Sequence, residues 1–223
     1  MAERSFHRYS TAFPAGLTRA TDRVELGPGV TDVVTHRLLG DLDDRRVVEL
    51  GCGMGHTSVA MAGAGARVAA IDPDDAQLDR ARELAHDHEV TVEFHRADLA
   101  DLAFLPADSF DLAIAVHSVV TVDHADRVFR QVHRILRAGG SLVVSAPHPA
   151  AMLVDPFADE PDRVVGGYFD TEPLGSGPSL THRYTIADLF GALTRAEFRV
   201  DSLIEAGGAG DRLPTTVVLR AKR

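Results

Sequence analysis

The sequence predicts an α/β protein whose core is a doubly wound, mostly parallel sheet. Three observations carry this expectation. Short apolar runs alternate with stretches of helical period between Arg46 and Ser145. The runs are continuously apolar, as expected of strands covered on both faces. The helical stretches stop at glycines, Gly65 and Gly139-Gly140. Strand and helix in regular alternation, joined by right-handed crossovers, give a parallel sheet with helices on both sides.

Residues 1–44 read as a helical N-terminal segment. In it Val33, Val34, Arg37, Leu38 and Leu39 fit one face, after a turn at Gly27-Pro28-Gly29. The core spans 45–146. Its first strand is 47–50, followed by a helix over 56–64 and a second strand over 67–71 that ends at Asp72-Pro73. Asp74 and Asp75 suit the start of the next helix, whose Leu78, Ala81, Leu84 and Ala85 share a face. Strands follow over 90–95 and 110–116. A helix with Val128, Phe129, Val132, Ile135 and Leu136 on one side then leads to a fifth strand over 141–145.

Residues 147–184 break the rhythm with six of the eleven prolines, four glycines and six acids against two arginines. They read as a lid inserted over the sheet edge, or as a surface loop. Regularity returns over 185–223. Thr185 caps a helix bearing Ile186, Leu189, Phe190 and Leu193, and strands over 199–204 and 216–220 return hairpin-like through 207–211.

A chain of 223 residues suits a single domain. Its net charge of −10 and single lysine, Lys222, argue against a nucleic-acid surface. No run is long and apolar enough to span a membrane, and Met1 to Ser10 lack the apolar core of a signal peptide. One cysteine, Cys52, rules out an internal disulfide framework. A cytoplasmic protein is expected; the oligomeric state is left open.

The chemistry concentrates in Glu49-Leu-Gly51-Cys-Gly53-Met-Gly55, after the first strand and at the start of a helix. Glycines there let a ligand approach the backbone, and the helix start offers free N–H groups. The spacing is Gly-x-Gly-x-Gly, not the Gly-x-Gly-x-x-Gly of dinucleotide binders. Glu49 would repel a pyrophosphate but suits a ligand with an ammonium and a sulfonium group, as in S-adenosylmethionine; it could also be a solvated acid at a strand end. Asp72, 21 residues after Gly51, is placed to accept both ribose hydroxyls, or else to cap the next helix. Asp98, after the third strand, can accept from an adenine amino group, with the Leu99 N–H reaching the ring; the alternative is a turn residue.

These segments resemble the motifs of class I S-adenosylmethionine-dependent methyltransferases of the small-molecule type. Val47 to Gly55 resembles their first motif, Ala70-Ile71-Asp72-Pro73 the second and Ala97-Asp98-Leu99 the adenine motif. Phe110 to Ser118 resembles the fourth-strand motif, and Phe129 to Gly140 the helix and turn after it. The resemblance covers about residues 45–146, with a similar helix and hairpin to 221. It implies a Rossmann-like, seven-stranded sheet whose last strand is antiparallel. It also implies that Gly51 and Gly53 approach the methionine portion, that Asp72 binds ribose and that Asp98 and Leu99 bind adenine. The backbone at Val116 and His117 would face the ammonium group. Cys52, Gly55 and Pro73 belong to the same cofactor-binding motifs.

Methyl transfer needs orientation above all, and a base only when the acceptor must lose a proton. His117, at the end of the fourth strand, and His148, after the fifth, are the candidates. His124, His182, Tyr168 and Tyr184 are weaker pocket or lid candidates. No histidine or cysteine spacing suits a metal site. The fourth strand is not followed by the Asn-Pro-Pro-Tyr or Asp-Pro-Pro-Tyr that suits methylation of adenine or glutamine amino groups, which favours a small-molecule acceptor. Three alternatives stay open. One is an enzyme of this fold that uses the same cofactor for decarboxylation, cyclisation or rearrangement. The others are a nicotinamide-dependent oxidoreductase and a non-catalytic interaction protein.

Overall fold

The computed structural model describes residues 19–154, 164, 166–174, 180–209 and 211–223. The elements in chain order are α1 (Asp32–Leu39), β1 (Arg46–Leu50), α2 (His56–Gly63), β2 (Arg67–Asp72), α3 (Asp75–Asp87), β3 (Val92–Arg96) and β4 (Phe110–Val116). Then come α4 (Ala125–Ile135), β5 (Leu136–Pro147), α5 (Ile186–Arg195), β6 (Arg199–Ala206) and β7 (Thr216–Lys222). Single 3₁₀ turns lie at Val119–Thr121 and Pro149–Leu153.

The strands form one seven-stranded sheet in the order β3-β2-β1-β4-β5-β7-β6. Strands β1 to β5 pair in parallel, while β7 is antiparallel to both β5 and β6. The doubly wound sheet with an antiparallel last strand is therefore as the sequence predicts. The chain winds outward from β1 to β3, then returns to β4 beside β1. Between the carboxyl ends of β1 and β4 the winding reverses, which is where open α/β sheets bind ligands.

Period-two alternation divides the strand side chains between two layers. Val48, Leu50, Ile71, Ala113, Ala115 and Val144 pack under α4 and α5 with Phe129, Val132, Ile135 and Leu193. Val47, Val68, Leu112, Ile114, Val143 and Val218 face Leu38, Leu39, Ala60 and Met61 of α1 and α2. Full burial of a side chain such as Phe129 contributes about 1.5–3 kcal/mol. Local signals fix the helix starts. The Asp74 carboxylate accepts the Ala76 N–H, and Thr185 and Asp188 form a reciprocal capping box at α5.

Three expectations are refined. Among the described residues of the N-terminal segment, helix is confined to α1, and 19–31 run without helix as a strap. Thr31 caps α1 by accepting from the Val34 N–H. Val33 is 79% exposed, not inward-facing, because the buried stripe is set by Thr35, Leu38 and Leu39 on the other side of the helix. Second, α4 ends at Ile135, and Leu136 already pairs with Phe110 at the start of β5. The next pair is Leu112 with Ser141, so residues 137–140 bulge out. Arg137 anchors the bulge on Asp111 at 2.6 Å, and Gly139 takes φ +78° within it. The glycine pair thus turns a bulge and does not stop a helix.

Third, the described part of 147–184 is tied to the body of the protein. His182 N–H donates to the Val120 carbonyl at 2.7 Å and the Tyr184 hydroxyl to the Val122 carbonyl at 2.6 Å. Arg183 clamps the Gly167 carbonyl and Asp170. Residues 155–163, 165 and 175–179 of the expected lid lie outside the described residues, as do 1–18 of the N-terminal segment.

Candidate functional site

The glycine loop hangs between β1 and α2. Gly51 and Cys52 both donate to the Ile71 carbonyl of β2, at 2.8 and 3.0 Å. At Gly51, φ is +70° and a Cβ would lie 2.3 Å from the Ser118 Cβ. Ser118 in turn donates its hydroxyl to the Leu50 carbonyl, pinning the end of β4 to the end of β1. The close neighbour that demands a glycine at 51 is therefore the protein itself. Gly53 differs: with φ +52°, a Cβ there would meet nothing nearer than Gln77 Oε1 at 3.9 Å. It presents bare backbone to open space, as a ligand-facing glycine should. At Gly55 a Cβ would sit 2.8 Å from the Ala81 Cβ, so this glycine lets α2 and α3 approach closely. The Cys52 side chain points inward onto Ala70 and Leu78, and burial pushes its thiol pKa far up.

Asp72 ends β2 and is almost fully buried. Its Oδ2 accepts the Gly53 N–H at 2.8 Å, and its Oδ1 accepts the Asp74 N–H at 3.0 Å. The cap of α3 is Asp74, not Asp72. Asp72 thus shapes the loop, and its carboxylate keeps lone pairs for a further donor. Pro73 is exposed beside it. Asp98 is exposed, with Oδ1 accepting the Ala100 N–H at 2.7 Å. The Leu99 side chain is buried and reaches toward Gly51. The loop, Asp72 and Asp98 thus lie at the carboxyl ends of adjacent strands β1, β2 and β3.

Glu49 is 1% exposed in the floor of the loop and accepts a hydrogen bond from the Ser58 hydroxyl. Burial pushes its carboxyl pKa up to about 7, against opposing hydrogen bonds and the charge of Arg19. Arg19, in the strap, donates to the Thr57 hydroxyl at 2.9 Å. Its charge is also felt at His117 and His56. Sequence reasoning missed Arg19, Ser58 and Ser118. Ser118 lies next to His117 within a recognised motif, whereas Arg19 has no local pattern to mark it.

Val116 and His117 lie at the end of β4, next to the loop. His117 turns the chain with φ +57°, and its N–H donates to the Ser145 carbonyl at 2.9 Å. The imidazole is buried beneath the strap, where a Cβ on Gly27 would come within 2.8 Å of Nε2. Burial, and secondarily Arg19, lower its pKa to about 3, so the ring is neutral. His148 occupies a different place. Its Nδ1 accepts the Ala150 N–H at 3.0 Å as a cap of the 3₁₀ turn, and Nε2 lies 2.8 Å from Glu205 Oε1. That cap places the proton on Nε2, facing Glu205, so both ring nitrogens are engaged. His124 is exposed beside Asp123, and Tyr184 is held by Val122. Among the described residues no three His, Cys, Asp or Glu are grouped to hold a metal ion.

Residues 47–140 match the methyltransferase-domain family. The ubiquinone biosynthesis O-methyltransferase of Xanthomonas oryzae pv. oryzae is 31% identical over 184 residues, covering 80% of this chain and 72% of that protein. The 27-O-demethylrifamycin SV methyltransferase of Amycolatopsis mediterranei is 32% identical over 163 residues, covering 69% of this chain and 56% of its own length. Among solved structures, an S-adenosylmethionine-dependent methyltransferase from Mesorhizobium loti superposes with a TM-score of 0.72 at 28% identity. That match covers 84% of this chain and 95% of the other.

Proposed function

Because the chain belongs to the class I S-adenosylmethionine-dependent methyltransferases, we propose that its acceptor is a hydroxyl oxygen on a small molecule. The cofactor is S-adenosylmethionine, and the donor set fits it. The bare backbone at Gly53 leaves room for a ligand, Asp72 has acceptor capacity for ribose hydroxyls, and Asp98 follows on the next strand toward adenine. When bound, the cofactor supplies an electrophilic methyl carbon on a sulfonium.

The protein contributes orientation. In this reading Gly53 and its neighbours in the loop seat the amino-acid tail, Asp72 fixes the ribose, and Asp98 with the Leu99 N–H fixes the adenine. Val116 and His117 form the wall on the acceptor side. The acceptor enters between the end of β4 and residues 180–184, which are tied to Val120 and Val122. His117 is neutral and is not a strong base, because burial holds its pKa far below that of an ordinary imidazole. Rate enhancement then comes mainly from alignment of the acceptor with the methyl carbon. His148, held by Ala150 and Glu205, orders the exit of β5.

The observation that carries the choice of oxygen is the 31% identity, over most of both chains, to a relative whose name specifies O-methylation. A net charge of −10 supports a neutral or cationic acceptor over a polyanion. A free, buried Cys52 supports a cytoplasmic setting; no helix among the described residues is long and apolar enough to cross a membrane. The test is incubation with methyl-labelled S-adenosylmethionine and matched acceptors bearing hydroxyl, amino or acidic C–H groups. The proposal expects label on oxygen, with one S-adenosylhomocysteine released per product. Turnover of amino acceptors alone, or product without S-adenosylhomocysteine, would overturn it.

A further inference from the structure

The strap and α1 border an open cavity of about 230 Å³. Val24 of the strap, Leu39 of α1 and Leu42 of the turn that follows form its apolar wall, and all three belong to the core layer on the α1 and α2 side of the sheet. Asp32, Thr35, His36 and Leu39 line it from positions i, i+3, i+4 and i+7, one face of the helix. No residue of the glycine loop, of β4 or of β5 lines it, so the cavity is separate from the candidate cofactor and acceptor ends.

Thr35 is the polar group within this wall. It is only 6% exposed. Its N–H is committed to the helix, donating to the Thr31 carbonyl at 3.0 Å. Its hydroxyl makes no hydrogen bond to any described residue, although a helical threonine often bonds back to the carbonyl four residues earlier. A buried hydroxyl left in this way carries a desolvation cost, and the cavity is the side from which a partner can reach it. The charges at the rim are matched to one another instead. Arg23 lies 3.5 Å from Asp22, 3.2 Å from Glu25 and 3.6 Å from Asp32. An anion entering here would meet three acids, and a cation would meet Arg23.

We propose that this cavity is a binding site for a small neutral phenol, its ring against Val24, Leu39 and Leu42 and its hydroxyl on Thr35. The size fits: an aliphatic cavity of about 150 Å³ already takes benzene, and the larger volume here leaves room for a hydroxyl and a small substituent. A phenolic O–H both donates and accepts, which matches a threonine hydroxyl in either orientation. A neutral ligand leaves the Arg23 cluster intact. The inference is independent of the cofactor reading, because the two sites share no lining residue.

The test is a fluorine NMR titration of the cofactor-free chain with para-fluorophenol and with para-fluorotoluene, which carries a methyl in place of the hydroxyl. The wild type is compared with Thr35→Val, which keeps the side-chain shape and removes the hydroxyl. On methyl-labelled protein, para-fluorophenol should show nuclear Overhauser contacts to Val24, Leu39 and Leu42, with a Kd of about 1 mM. Thr35→Val should lower the phenol-to-toluene affinity ratio by about 2- to 10-fold, the effect of one neutral hydrogen bond. Without ligand, the variant should melt no lower than the wild type, since it loses a buried hydroxyl that has no protein partner. An unchanged ratio would overturn the proposal, as would the absence of saturable binding. Contacts confined to the carboxyl ends of β4 and β5 would overturn it too, by placing the phenol in the acceptor pocket. A lower melting temperature for Thr35→Val would show that the hydroxyl already serves the fold, and would equally overturn it.

Discussion

Replacing Gly51 and Gly53 by alanine, one at a time, should give two different phenotypes from chemically identical changes two residues apart. At Gly51 the new methyl lies 2.3 Å from the Ser118 Cβ, on a backbone at φ +70°. The left-handed conformation costs about 1–2 kcal/mol, and forcing apart the β1 and β4 ends adds about 1–3 kcal/mol. The sum, about 2–5 kcal/mol, lowers Tm by about 4–20 °C in a domain of this size. At Gly53 the methyl has no protein neighbour closer than 3.9 Å, so only the backbone cost applies. That is about 1–2 kcal/mol, or about 2–8 °C. The Gly53 methyl instead fills space that the cofactor would occupy, and should weaken S-adenosylhomocysteine at least about tenfold. Scanning calorimetry of the unliganded proteins and titration below both melting temperatures read the two effects separately. Wild-type affinity in Gly53→Ala would refute the placement of the ligand. Equal melting of the two variants would refute the distinction drawn between the glycines.

Other outcomes follow from the buried titratable groups. The folded-state pKa of Glu49 is raised from 4.5 to about 7, so its contribution to stability is fully present below pH 4.5 and is lost as pH rises through 7. Glu49→Gln should therefore gain stability relative to wild type between pH 5 and pH 8 in urea titrations; a constant difference would contradict the burial of a carboxyl there. The folded-state pKa of His117 is lowered from 6.5 to about 3, so the unfolded chain binds more protons between those values and stability falls as pH drops through that window. His117→Asn should flatten that acid loss, and the rate of methyl transfer should show no inflection near pH 6.5; an inflection there would give the ring ordinary basicity. His148→Ala removes a cap from the 3₁₀ turn and should cost about 1 kcal/mol, with cofactor affinity unchanged. A cofactor affinity that fell with it would bring His148 into the binding site.

The strands and helices of 45–146 were legible because each apolar run and each glycine or aspartate boundary is a local signal. The bulge at 137–140 was not, because Gly139-Gly140 after a helix looks the same whether the helix stops or a strand has already begun. What decides is the distant pairing of Arg137 with Asp111. The order of Asp72 and Asp74 was also ambiguous in one dimension; only the Gly53 N–H, brought over from β1, assigns Asp72 to the loop. Gly51 is explained by Ser118 just past the end of β4, 67 residues later. Arg19 was invisible because its partners Thr57 and Glu49 belong to elements that fold together only in the sheet. Motifs therefore marked the candidate ligand-binding backbone, while the charges around it required the assembled sheet end.

The most direct measurement is calorimetric titration of the wild-type chain and Asp72→Ala with S-adenosylhomocysteine and, separately, with NAD. The account predicts single-site binding of S-adenosylhomocysteine to the wild type, at least about tenfold weaker in Asp72→Ala, and no binding of NAD to either. Saturable NAD binding, or S-adenosylhomocysteine binding indifferent to Asp72, would contradict the assignment of this sheet end to the cofactor.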